Sequence, residues 1–260
     1  MKNEGMPPTR EGSDLKALGM SHWESGDCDN LSNYTLQQLE WVRPYMGSRI
    51  MEIGAGGGRV TKMLHETMPV QRLVGIEPSP ILYDQFRERC PDVESYSSVV
   101  CDLPATLNGQ FDTILLVHVL EHIEHDQAFL HEASRFLNPG GRFIILVPAL
   151  NWLMSRLDRN IGHFRRYDRS MIRELSDALG FITEMCRYDN LIGIPGWFVL
   201  CKVLGMHYQE PKKKRVLMTS FNVFDKRILP LMVRLERRFP PPIGLHLTAV
   251  LKVSPSNARA

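Results

Sequence analysis

The chain has 260 residues, 43% of them apolar and 23% charged, with a net charge of +2. These are the values of an ordinary globular protein, one α/β domain or one domain with an insertion. Five scattered cysteines (Cys28, Cys90, Cys101, Cys186, Cys201) argue against a disulfide framework or zinc ribbon, and with no apolar leader and no apolar run near the roughly 18 residues of a membrane span the expected location is cytoplasmic.

Residues 1–31 are polar and Gly/Pro-rich and are expected to be a mobile segment. From Ser32, Leu36, Leu39, Val42 and Met46 recur at helical spacing and Pro44 marks the end. "SRIMEI" reads as a buried strand, "RVTKMLHE" as a helix with Val60, Met63 and Leu64 on one face, "RLVGIE" as a second strand and "PILYDQFRERC" as a second helix. "SSVVCDL" ends a third strand. "FDTILLVHV" is a fourth, continuously apolar as strands buried on both faces are. "HDQAFLHEASRFL" is helical, stops at Asn138-Pro139-Gly140-Gly141, and leads into a fifth strand, "RFIILVP". A helix, "SMIRELSDALGF", a strand near Ile182–Tyr188 and a last strand, "LHLTAVLKV", complete the pattern. Alternation of this kind predicts a parallel, doubly wound α/β sheet. The expected division is a core over 32–189, a helical cap over 190–243, and a final strand and tail over 244–260.

Residues 49–60, "RIMEIGAGGGRV", hold four glycines in five residues between a strand and a helix. Such a turn lets backbone approach a nucleotide cofactor closely. NAD(P) and S-adenosylmethionine (SAM) compete for it. The dinucleotide fingerprint requires a third Gly or Ala where Arg59 stands. Glu52, two residues before Gly54, would repel a pyrophosphate but suits a cofactor carrying an ammonium and a sulfonium. Glu77 ends the second strand, twenty-one residues after Gly56, where a carboxylate can accept from both ribose hydroxyls. Asp102, between Cys101 and Leu103, is placed to accept from an adenine amino group, with Leu103 over the ring.

With "MEIGAGGG", "GIEPS", "VVCDL", "FDTILLVHVLEHIEHD" and "LNPGGRFIILVP" the sequence resembles the class I SAM-dependent methyltransferases over roughly residues 33–150. The resemblance implies a seven-stranded sheet with an antiparallel last strand, SAM across the strand C-termini, and Asn33 and Tyr34 as a flap over it. The cofactor set expected is Tyr34, Glu52, Gly54, Ala55, Gly56, Gly58, Glu77, Pro78, Cys101, Asp102, Leu103 and His118. The second half, through "LDRNIGHFRRYD" and "YDNLIGIPGW", is similar to a subgroup of small-molecule methyltransferases.

Six arginines crowd residues 156–173, after the fifth strand, where an open α/β sheet places its crevice. Arginine forks match carboxylate and phosphate oxygens. Arg165, Arg166, Tyr167 and Trp197 are the expected acceptor contacts; the alternative is that the arginines only pair with Asp158 and Asp168. His118 and His163 are the candidate bases for an acceptor hydroxyl. Similar ubiquinone-pathway O-methyltransferases hold a divalent ion with an E-x-x-E-H pattern. Here His118 replaces the first acid ahead of Glu121 and His122, so no metal is expected. Residues 201–260 carry twelve Lys/Arg against three Asp/Glu. That part of the chain is read as a lid with a basic outer face, or as a contact for a membrane surface or a partner. No base-stacking aromatics accompany Lys212-Lys213-Lys214-Arg215, so nucleic acid is not expected. The sequence therefore predicts a SAM-dependent enzyme that methylates a small or lipid-like anionic acceptor, at oxygen in preference to carbon or nitrogen. The rivals are a SAM-fold binding subunit without catalysis and an NAD(P) dehydrogenase.

Overall fold

The structure, a computed structural model, describes residues 33–207 and 210–254. The segment expected to be mobile, residues 1–31, lies outside the described residues. Asn33 and Tyr34 open helix α1 (Asn33–Val42), but their side chains are also outside the described set, and with them the expected flap.

Continuous apolar runs make the central strands because both of their faces are covered. Strands β1 (Arg49–Ile53), β2 (Arg72–Ile76), β3 (Glu94–Tyr96), β4 (Phe111–Val117), β5 (Leu137–Pro148), β6 (Phe181–Asp189) and β7 (His246–Val253) form one sheet in the order β3-β2-β1-β4-β5-β7-β6. The first five strands pair in parallel, and β7 runs antiparallel between β5 and β6. This is the doubly wound, seven-stranded sheet with an antiparallel last strand. Successive side chains alternate between two cores. Met51, Ile114, Leu116 and Ile145 lie in one, and Ile50, Leu115, Ile144 and Leu146 in the other. Around the sheet lie α2 (Arg59–Thr67), α3 (Pro80–Arg89), α4 (Asp126–Ser134), the short α5 (Arg156–Asn160) and α6 (Arg169–Ala178).

Two strand assignments change. The third strand is Glu94–Tyr96, and "VVCDL" is not part of it: Val100–Asp102 form a 3-10 turn. The buried Val100 and Leu103 tuck beneath the sheet edge, and their carbonyls are taken by the Arg135 guanidinium at 3.0 and 3.2 Å rather than by a neighbouring strand. Leu137 does not end a helix. It pairs with Phe111 at the start of β5, and the register then shifts before Arg142 pairs with Thr113. Asn138 is held in that bulge by donating to Asp112 at 2.6 Å.

Between β6 and β7 the chain is helical, with α7 (Gly193–Trp197), α8 (Pro211–Val223) and α9 (Leu229–Arg238) joined partly by π-helical turns at Phe198–Val203 and Phe224–Ile228. The buried Glu236 ties α9 to the sheet, accepting from the backbone N–H groups of Asn190 and Leu191 at 3.1 and 3.0 Å. No helix among the described residues is long and apolar enough to cross a membrane.

Candidate active site

The glycine turn leaves β1 beside the carboxyl end of β2, where Gly54 and Ala55 donate to the Ile76 carbonyl at 2.8 and 2.9 Å. Gly54 and Gly56 have φ of +73° and +53°, the left-handed region that glycine enters freely. At Gly54 a Cβ would strike Val119 at 2.4 Å, which fixes the turn against the segment after β4. At Gly56 a Cβ would meet nothing within 4 Å, so open space borders the turn there. Gly58, at φ +78°, starts α2. Ala55 is buried beneath the turn.

Glu77 stands at that open space. It is 4% exposed, and its two oxygens accept from the Gly56 and Ser79 N–H groups, each at 2.8 Å. Burial raises its pKa, and the two backbone donors oppose that rise. A carboxylate has about four lone-pair sites, so acceptor capacity remains for a pair of hydroxyls. Glu52 is buried and accepts from the Thr61 hydroxyl. Burial lifts its pKa to about 8, with the neighbouring charge of Glu77 adding to the rise and Thr61 opposing it. An open cradle flanked by two buried carboxyls fits a cationic nucleoside cofactor such as SAM. Cys101 and Asp102 are exposed on the turn after β3, Leu103 is packed into the core, and Pro78 is half-buried.

The second half of the site is a cluster of histidines and acids at the carboxyl end of β4. His118 follows the strand with φ +55°, and its Nδ1 lies 3.3 Å from Glu121 Oε1. Glu121 is wholly buried, and its other oxygen has no hydrogen-bond partner among the described residues. Burial works against its charge, but the His118 hydrogen bond and the nearby imidazoles prevail and hold its pKa below the ordinary value. His163 arrives from the loop after α5. Its Nδ1 lies 3.1 Å from Asp158 Oδ1 and its Nε2 lies 3.9 Å from Glu121 Oε1. The His122 ring is 4.7 Å from the His163 ring, and burial lowers its pKa to about 4, so it is neutral. Glu121, His122 and His163 present ligand-type atoms within 4.8 Å of one another, a different trio from the His118, Glu121 and His122 weighed in the sequence.

Asp158, wholly buried, is the hub of this cluster. It closes a capping box with Ser155, accepts from Arg166 Nε at 2.9 Å, and faces His163. Burial alone would raise its pKa; the His163 ring, the Arg166 charge and Ser155 bring it to about 2. The roles expected for Arg166 and Tyr167 at the acceptor therefore have little geometric support. Arg166 is 2% exposed, its guanidinium held by Asp158 and the Ala149 carbonyl and lying 4.3 Å from the Trp197 ring centre. Tyr167 is fully buried, its hydroxyl 2.8 Å from Asp126 Oδ2 and 3.1 Å from the Leu120 carbonyl. Arg165 donates to Asp126 at 2.7 Å and to the Glu124 carbonyl. Trp197 spans the site and the cap, stacked on Phe221 with ring centres 6.1 Å apart.

Two site residues escaped the sequence reading. His246, at the start of β7, has its ring 5.7 Å from that of His118 and its Nδ1 4.0 Å from the buried Asp189 at the end of β6. Burial drives the His246 pKa well below its ordinary value and that of Asp189 well above. Only the insertion of β7 between β5 and β6 brings them here.

A family described as methyltransferase domain matches residues 51–145. The chain is 31% identical over 191 residues to the demethylmenaquinone methyltransferase of Tropheryma whipplei (strain Twist), covering 63% of this chain and 79% of that protein. It is 29% identical over 117 residues to the ubiquinone biosynthesis O-methyltransferase of Azorhizobium caulinodans, covering 42% of this chain and 43% of that one. Among solved structures, the 1,6-didemethyltoxoflavin-N1-methyltransferase of Burkholderia thailandensis shares the fold with a TM-score of 0.56 at 16% identity, over 96% of this chain and 93% of the other. Glycine turn, paired carboxyls, strand order and relatives agree: the chain belongs to the class I SAM-dependent methyltransferases and is an enzyme that uses SAM as its cofactor.

Proposed function

We propose that this enzyme methylates a hydroxyl oxygen of a small, lipid-like acceptor seated between the glycine turn and the helical cap, with His163 taking the hydroxyl proton. The observation that carries the reading is the buried Glu121–His163–Asp158 array at the end of β4. Asp158 at Nδ1 favours the tautomer with its proton on that nitrogen, which leaves Nε2 as the basic site. SAM, which the glycine turn and Glu77 would hold, would supply the methyl group to the acceptor oxygen, and the proton lost from that hydroxyl would pass to His163 Nε2. The imidazolium so formed lies between two carboxylates, Asp158 and Glu121. SAM supplies the electrophile when bound; the protein supplies position and the base. Relatives named for demethylmenaquinone and ubiquinone pathways support the lipid-like class. The anionic character inferred from the arginines loses its main carriers, because Arg165 and Arg166 already have acidic partners. A neutral hydroxyl, which needs a base, fits the array better than a carboxylate, which does not.

The test is a mass-spectrometric screen of hydroxylated, prenylated aromatic acceptors beside carboxylate and amine controls, using wild type and His163→Gln. An O-methyl product is expected. The variant should retain S-adenosylhomocysteine affinity while kcat/KM falls about 10²–10⁴-fold, the span of general-base contributions. Turnover should survive EDTA. A methyl found on carbon or nitrogen, or full activity in the variant, overturns the reading. Loss on chelation reversed by magnesium or zinc hands Glu121, His122 and His163 to an ion instead.

A further inference from the structure

Thirteen of the seventeen exposed large hydrophobic side chains among the described residues lie between Leu191 and Ile243, in the cap. Single exposed apolar residues need no explanation, but a concentration of them marks an interaction surface. On α9 and the turn before it, Ile228, Leu231, Leu235 and Phe239 recur at i, i+3, i+7 and i+11, along one helical stripe. They are 42%, 74%, 57% and 67% exposed. The adjacent face of the helix, about 100° round at 3.6 residues per turn, carries Leu229, Met232, Val233 and Glu236, all buried. The helix is thus apolar on the face that packs and again on the face that does not. On α8, Val216 and Val223, seven residues apart on one stripe, are exposed beside the buried Leu217.

The charge on this surface has one sign. Residues 190–243 hold ten Lys/Arg and three Asp/Glu, a net of +7, and one of the acids, Glu236, is buried against backbone N–H groups. Arg227, Arg234 and Arg238 are exposed beside the apolar stripe, and Lys212 and Arg215 are exposed on the first turns of α8. A second copy of the chain would bring +7 against +7. An anionic bilayer supplies the complement to both features, phosphates for the cations and acyl chains for the stripe. The helices are too short to span, so this is a surface that lies on lipid.

We propose that the cap docks the enzyme onto an anionic membrane surface through the outer face of α8 and α9. Docking places the catalytic cluster directly behind the lipid. The strands that carry Asp189 and His246 are the ones that enter and leave the cap, and Trp197 of the cap covers Arg166. A lipid-like acceptor then reaches the site from the bilayer without crossing water. That route rests on the proposed acceptor class; the docking itself does not, and it is measured with no methyl acceptor present.

The experiment is vesicle co-sedimentation of the full chain with phosphatidylglycerol/phosphatidylcholine and with pure phosphatidylcholine, at low and high salt. The variants are Leu231→Glu/Leu235→Glu and Arg234→Gln/Arg238→Gln, whose side chains face outward. Wild type should bind the anionic vesicles at least ten-fold more tightly than the zwitterionic ones. The glutamate pair should lose at least ten-fold. The glutamine pair should lose several-fold and show a shallower salt dependence. Melting temperature and S-adenosylhomocysteine affinity should not move in either variant. Absence of vesicle binding by wild type, equal binding to both lipids, or unaltered binding by both variants overturns the proposal. A self-association in sedimentation velocity that Leu231→Glu/Leu235→Glu abolishes also overturns it, by assigning the stripe to a second copy. Vesicle binding without lipid-like methyl acceptance would sink the acceptor reading alone.

Discussion

Glu52→Gln should make the protein more stable at pH 8 than wild type while leaving it nearly unchanged at pH 5. Burial holds the Glu52 carboxyl at about 8, against 4.5 for an unperturbed one. Between those two values the folded chain keeps a proton that the unfolded chain has released. The unfolded state then binds fewer protons, so stability falls as pH rises, by up to about 1.4 kcal/mol per unit. From pH 5 to pH 8 the loss accumulates to about 3–4 kcal/mol. Glutamine has the same shape, can still accept from Thr61 through its amide oxygen, and does not titrate. His122, whose folded value is lowered to about 4, contributes stability that rises with pH between about 4 and 6.5. That contribution is common to both proteins and cancels in the difference. Urea denaturation at pH 5, 6, 7 and 8 measures it. The two stability curves should diverge steadily above pH 5, and parallel curves would refute the buried, protonated Glu52. The same titration predicts that wild-type affinity for SAM rises from pH 6.5 to 8.5, because the ionised form faces a cationic cofactor, and that the variant shows no such rise.

Glu77→Gln should weaken S-adenosylhomocysteine binding by about 10- to 150-fold, the equivalent of one lost charge-assisted hydrogen bond of about 1.5–3 kcal/mol. Calorimetry on the folded variant checks this, and an unchanged affinity removes Glu77 from the ribose. Arg166→Lys should lower stability by about 1.5–3 kcal/mol, because the fork on Asp158 is lost inside the protein. Arg165→Lys, at a partly exposed pair, should cost less than about 1 kcal/mol by the same denaturation. Equal effects at the two positions would refute the buried fork of Arg166 on Asp158.

The legible parts of this protein are those whose cause is local in the chain. Ile114, Leu115 and Leu116 form an unbroken apolar run because both sides of β4 are covered, and such a run is visible without knowing the partner. Glu52, the glycines and Glu77 are readable for a similar reason, since one strand–turn–helix unit and the next strand end hold them all. The arginine segment is legible only through its alternative reading, the pairing of Arg166 with Asp158, because its partners are set by the fold. "RRY" looks like an outward-facing fork, yet Asp158 comes from α5 and Asp126 from α4, and together they turn Arg166 and Tyr167 inward. One local signal was available: Ser155-x-x-Asp158 is a capping box, which ties the Asp158 carboxylate to the start of α5 instead of leaving it to solvent. His246 and Asp189 carried no signal at all. They are fifty-seven residues apart and meet only because β7 enters between β5 and β6.

The same topology explains where strain and buried charge gather. Three non-glycine residues among those described have left-handed φ, His118 at +55°, Leu150 at +65° and Asn190 at +61°. Each lies just beyond the carboxyl end of a strand, β4, β5 and β6 in turn. For a branched residue such as Leu150 this conformation costs about 1–2 kcal/mol, and it persists because Leu150 donates to the Tyr167 carbonyl at 2.9 Å while Ala149 donates to Leu245 at 2.8 Å. Asn190 is held by accepting from the Gly193 N–H at 2.9 Å, which also launches the cap. The three turns redirect the chain sharply at the rim of one crevice, and Glu121, Asp158 and Asp189 are buried around it. Strain at a strand end and a desolvated carboxylate are each unfavourable for folding alone. Their coincidence on a single edge of the sheet supports the proposed placement of the reaction at the β4–β6 end of the crevice, under the cap.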